Sequence, residues 1–193
     1  MRRHRGHFWL DLVACFLIPA YTLLFAGSVE WFGTNFSVIA VTGPDHYRGF
    51  IYWGLLAGAY FFVMVNRLAV TLPAPWPRLG VSGLTCLACL SLCYALAIPY
   101  LPAYFPRYSA LHVGLAAGAC ALVMLALLLA LLALHRQQPR QYRRLLAAWW
   151  LIVAGCAVLF LIPRMVSTAL EVFFTISATL LTRKLWLTRV GAS

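Results

Sequence analysis

A chain of 193 residues that is 64% hydrophobic and only 10% charged, with a mean hydropathy of +0.88, has too little polar surface to cover a water-soluble globule. Its net charge of +11 serves to orient a membrane protein and gives no reason to expect a nucleic-acid partner. Only helices and closed barrels satisfy every backbone group in hydrocarbon, and the apolar runs here are continuous instead of alternating at period 2, which excludes a β-barrel. The sequence therefore predicts an all-α polytopic membrane protein, a single domain over residues 1–193 built as a six-transmembrane-helix bundle. Spans of about 20 apolar residues fall at roughly 8–27, 49–70, 80–99, 110–134, 145–162 and 164–182.

The first run follows MRRHRGH and ends near the small-residue triplet Ala26-Gly27-Ser28, a pattern shared with cleavable signal peptides; Asp11 interrupts the apolar core that such a peptide needs, so the span is expected to be retained. Between the first two spans lies an outer loop of residues 28–48, longer than ordinary connections. Phe36, Val38, Ile39 and Val41 give it an apolar face and Gly43-Pro44-Asp45 a turn, so it is expected to fold back as a lid. Asn35-Phe36-Ser37 also fits the glycosylation acceptor pattern. The second span carries the Gly54/Gly58 pair and the fourth the Gly114/Gly118 pair, GxxxG faces suited to close helix contact within the chain or to a homodimer seam. Pro73, Pro75 and Pro77 read as a stiff inner loop, and Pro99, Pro102 and Pro106 as a stiff outer one.

The positive-inside rule sets the orientation. Arg2, Arg3, Arg5, Arg67, Arg78, Arg136, Arg140, Arg143, Arg144, Arg183, Lys184 and Arg189 fall on one side, and only Arg48, Arg107 and Arg164 on the other. Both termini are thus expected in the cytoplasm, with the plasma membrane as the expected location. Trp9, Trp76, Trp149, Trp150 and Trp186 form the expected inner aromatic belt, and Trp31, Trp53, Tyr100, Tyr104 and Tyr108 the outer one. The segment HRQQPRQYRR at 135–144 reads as a basic inner loop, near enough to anionic headgroups to meet membrane lipids.

Chemistry-bearing residues are few. Cys86, Cys89 and Cys93 share one helix face at i, i+3, i+7 but lie inside a span, where they read as small packing residues; neither a cofactor nor a metal is expected. Glu171 is the most informative polar residue, since a carboxylate within a span costs a few kcal/mol unless it faces protein or water. Arg164, Thr168, Glu171, Thr175, Ala178 and Thr182 form one small or polar stripe along the sixth helix. With His112 they outline a polar pocket in the outer third of the membrane, toward which Asp45, His46 or Arg48 of the lid is expected to turn.

The segment Ile39-Ala40-Val41-Thr42-Gly43-Pro44-Asp45, followed by Phe50, resembles the I-S-D-T-G…P-E…F signature in the first outer loop of the damage-regulated autophagy modulator (DRAM-like) six-span proteins and their bacterial relatives, departing from it at Ala40 and Val41. The resemblance implies a non-enzymatic membrane protein concerned with lipids or with membrane-bound partners, and supplies no catalytic residues. Three function classes follow: a lipid or small-molecule binder or regulator of a membrane partner, a substrate-binding or permease subunit of a small-molecule transporter, and a membrane-embedded hydrolase. Against the second, Ile18 follows Ala14 where vitamin-transport subunits carry a small-residue docking pattern; against the third, the outer side has only His46 and His112 and no nucleophile motif.

Overall fold

A computed structural model describes residues 8–191, and every regular element among them is helical. Helix α1 spans Phe8–Ala26, α2 is the short Phe36–Ala40, and α3 to α7 span Pro44–Val70, Pro75–Ala97, Pro106–Gln137, Pro139–Leu161 and Thr168–Val190. Five of these, α1 and α3 to α6, are long and apolar enough to cross a membrane.

Four helices begin earlier than hydropathy places them, and for one reason. Pro44, Pro75, Pro106 and Pro139 each open a helix. Proline's fixed φ suits the first helical turn, where its missing N–H has no intrahelical partner to lose. Residues read as turns and stiff loops are therefore first turns: Gly43-Pro44-Asp45 starts α3, Pro75 starts α4 and Pro106 starts α5. The supposed basic loop at 135–144 is two helix ends meeting at Gln138. In the middle of α1 the same chemistry has the opposite effect. Pro19 cannot donate to a carbonyl one turn back, and the chain widens over Val13–Leu17 into a π-turn in which the Ile18 N–H bonds Val13 O.

Short connections make successive helices antiparallel neighbours, and α4 packs along both α3 and α5. A Cβ on Gly54 would sit 2.7 Å from Leu96 and one on Gly58 2.9 Å from Leu92, so this GxxxG face is used in the α3–α4 contact. Gly118 faces Ser91 of α4, whose Oγ donates to Leu115 O at 2.7 Å, while Gly114 faces open space.

The least apolar long helix is the best enclosed. Helix α7 touches α1, α3, α5 and α6, and only Leu180 and Lys184 along it are exposed. Thr168, Thr175, Ala178 and Thr182 are buried, as one stripe. Tyr60 donates to Thr179 O at 3.1 Å, Arg183 donates to Asp11 at 2.6 Å, and Arg189 donates to Thr71 O at 2.7 Å, tying α7 to α3, to α1 and to the α3–α4 turn. Glu171, Arg183 and Arg189 thus meet protein, which is how a helix bearing them sits among apolar ones, while Lys184 is exposed.

Candidate functional site

The segment between α1 and α3 is an ordered cap. Asn35 opens α2 by accepting the Val38 N–H on Oδ1 at 2.9 Å. Phe36 is fully buried between Phe25 and Trp53, edge-on to both rings at 5.1 and 4.8 Å, and Ile39 and Ala40 are buried beside it. Val41 is exposed, as is His46, whose Nδ1 lies 2.6 Å from Thr42 Oγ1. Asn35 is held under the cap as a helix-capping residue, so its match to the glycosylation pattern reflects local structure.

Two helix N-termini secure the cap reciprocally. The first free amides of α7 reach the cap backbone: Thr168 N–H donates to Thr34 O at 2.7 Å and Ala169 N–H to Trp31 O at 3.0 Å. The Thr168 hydroxyl adds a bond of 3.1 Å to Thr34 O. In return, Glu171 Oε2 accepts the Phe36 N–H at 2.6 Å, the first amide of α2. A carboxylate at a helix N-terminus is favoured both by the unpaired amide and by the helix dipole.

His112 fixes the other edge. Its Nδ1 lies 2.8 Å from both Ala95 O and Ile98 O, and its Nε2 lies 2.7 Å from Ser37 Oγ. Carbonyls only accept, so Nδ1 carries the proton and Nε2 accepts the Ser37 hydroxyl. The ring is 1% exposed and joins α5, the end of α4 and the cap.

Below the cap lies a cavity of about 610 Å³, walled by α3, α4, α5, α6 and α7. It falls within the roughly 300–1,000 Å³ of small-molecule sites. Its walls are chiefly Ala, Gly, Leu, Val and Phe; Asn35, Ser37, His112 and Glu171 gather at the cap end, with Thr175 one helical turn below Glu171. Along α5 it runs from His112 to Leu125, about 20 Å at the helical rise. The floor is closed by Trp149, whose Nε1 donates to Met124 O at 3.0 Å. Lining residues that remain exposed, among them Val113, Ala117, Ala121 and Leu125 of α5 and Ala157 and Phe160 of α6, place the mouth laterally between these two helices.

This arrangement revises the polar pocket expected from the sequence. Glu171 and His112 line the cavity and Thr168 holds the cap above it, but Asp45, His46 and Arg48 lie on the exposed first turn of α3, with Asp45 and Arg48 paired at 3.3 Å and their side chains 90% and 72% accessible. Arg164 does not join the stripe, because α7 begins at Thr168; it occupies the preceding turn with φ 54°, exposed and outside the cavity lining. Trp53 and Trp149, read as interfacial belts, instead line the cavity, and Trp53 donates to Thr22 Oγ1 at 3.0 Å. Cys89, Cys120 and Cys156 come from three different helices into the same lining, whereas Cys86 and Cys93 lie outside it; Cys86, Cys93 and Cys120 are exposed. Among the described residues no group of three or more His, Cys, Asp or Glu side chains is placed to hold a metal ion.

No family model, no curated protein and no solved structure matches this chain.

Proposed function

We propose that the protein is a non-enzymatic integral membrane protein of six spans, both termini cytoplasmic, that holds a lipid-like amphiphile in the cavity beneath its outer cap. The observation that carries this reading is the polarity gradient of the cavity: an apolar shaft about 20 Å long, ended by a cluster of hydrogen-bonding groups. That shaft covers more than half of the ~30 Å hydrocarbon thickness of a bilayer. Its lateral mouth would open on hydrocarbon, so a ligand already dissolved in the membrane enters without crossing water.

Helix α7 is the sixth span in this reading. Its enclosure by α1, α3, α5 and α6 removes the objection raised by its charges, and the distribution of Arg and Lys orients all six. The topology agrees with that implied by the resemblance to DRAM-like proteins. The non-enzymatic character is supported by the state of the two chemically active side chains. Both ring nitrogens of His112 are engaged in holding backbone and cap, and Glu171 caps α2, so neither is arranged as an acid–base partner of the other.

Native mass spectrometry of the protein released from mild detergent tests this reading. One amphiphile per chain is expected on the wild type and its loss on Ala117→Phe, which narrows the mouth from an exposed position. Equal occupancy of the two proteins, or none on a wild type supplied with lipid extract, refutes it.

A further inference from the structure

The charge balance inside the cavity points to the headgroup. Glu171 is the one carboxylate in the lining, which contains no Lys or Arg. Of its two oxygens, Oε2 is held by the Phe36 N–H; Oε1 has no hydrogen-bond partner among the described residues, and neither ion pair among them involves Glu171. The other groups at that end are largely engaged, with the Asn35 amide nitrogen the exception. Asn35 Oδ1 caps Val38, Ser37 donates to His112, and His112 donates to Ala95 and Ile98. A half-buried carboxylate that lines an apolar shaft without a cation is an incomplete arrangement, since a charge drawn out of water is tolerated when paired.

We infer that the cavity takes an alkyl-chain amphiphile bearing an ammonium headgroup, with the chain in the shaft and the ammonium on Glu171. The inference rests on the cavity reading above and adds the headgroup class. A phosphate-bearing headgroup is disfavoured by the same facts, because the lining offers it no guanidinium or ammonium. A free fatty acid would set two carboxylates side by side. An ammonium, with three donors, satisfies Oε1 and is small enough to sit beneath the cap. Glu171 also holds α2, so a bound cation and the cap share one carboxylate, and headgroup recognition is built into the closure of the site.

The test uses full-length protein in phosphatidylcholine nanodiscs, with every Trp except Trp53 and Trp149 replaced by Phe, and a spin-labelled alkanol whose quenching of these two reports a chain in the cavity. Hexadecylamine, hexadecanol and hexadecanoic acid then compete for it. Displacement by the amine at a concentration lower than the alcohol's by about tenfold or more is expected, the usual advantage of a hydrogen bond to a charged group, with the acid weakest. Glu171→Gln, which keeps an oxygen for the Phe36 N–H, should bring the amine to the alcohol's level and leave the alcohol unchanged. Equal potency of amine and alcohol on the wild type, a stronger acid, or an amine preference that survives in Glu171→Gln overturns the headgroup assignment while leaving the cavity reading intact. Absence of quenching by the reporter overturns the cavity reading itself. Should Glu171→Gln fail to fold, the wild-type ranking alone decides.

Discussion

Replacing His112 with Ala removes a group that three parts of the chain depend on. Ala95 O retains a second donor, the Ile98 N–H at 3.2 Å, but Ile98 O and the Ser37 hydroxyl lose their imidazole partner. Each polar group left unpaired costs about 1–3 kcal/mol, the lower end applying to Ser37, which is half-buried beside the cavity and free to rotate. The expected loss is about 2–4 kcal/mol, and at roughly 2–4 °C per kcal/mol for a chain of this size the melting temperature in detergent should fall by roughly 4–16 °C. His46→Ala is the matched control: it lies on the exposed first turn of α3, where substitutions stay within about 0.5 kcal/mol. Thermal unfolding followed by circular dichroism measures both, and a Ser37→Ala/His112→Ala double-mutant cycle should return a coupling of about 1 kcal/mol. A melting temperature for His112→Ala within about 2 °C of wild type, or a His46→Ala variant equally destabilised, refutes the account of His112 as the pin between α4, α5 and the cap.

Glu171→Ala leaves the Phe36 amide without an acceptor, so its hydrogen exchange should quicken by about tenfold or more, whereas Glu171→Gln should keep most of the protection; identical rates in the two variants would remove Glu171 from the cap. Gly54→Val places a Cβ 2.7 Å from both Leu96 methyls and should destabilise the α3–α4 contact by about 1–3 kcal/mol, while Gly114→Ala, with nothing within 4 Å, should leave the melting temperature unchanged. For the proposed topology, a cysteine at Ala103 should react with an impermeant maleimide added to intact cells and one at Gln138 should not; labelling at position 138 would reverse or break the six-span arrangement.

The helices were legible because hydropathy alone fixes where a bilayer-length run can lie, and their starts were misplaced because proline reads as a breaker when it also begins helices. Glu171 stood out for the same reason: a carboxylate amid apolar residues demands a partner. Its partner was illegible, since every residue except proline carries a backbone N–H, and nothing in the sequence marks that of Phe36. Asp45, His46 and Arg48 seemed aimed inward while they were assigned to a loop; once Pro44 starts α3, they fall on a turn that faces away. Arg164 fitted the stripe only by extending the helix one turn too far. The cavity was hidden by its materials, because Ala and Gly from five helices look like packing until the helices are assembled. The signal that could have found it is the run of small residues at 116–121 of α5, too small to fill the space before their neighbours.

The bonds from Thr168 to Thr34 and from Glu171 to Phe36 bridge 134 and 135 residues. In the proposed topology, and for a chain made from its N-terminus, the segment at 28–43 is the first to reach the far side of the membrane, yet its partners on α7 arrive only with the final helix. Until then the amides of α2 and the carbonyls of Trp31 and Thr34 depend on water. The cap is therefore completed in a late step, and a ribosome that stops before residue 168 leaves it held only by its contacts with α1, α3 and His112.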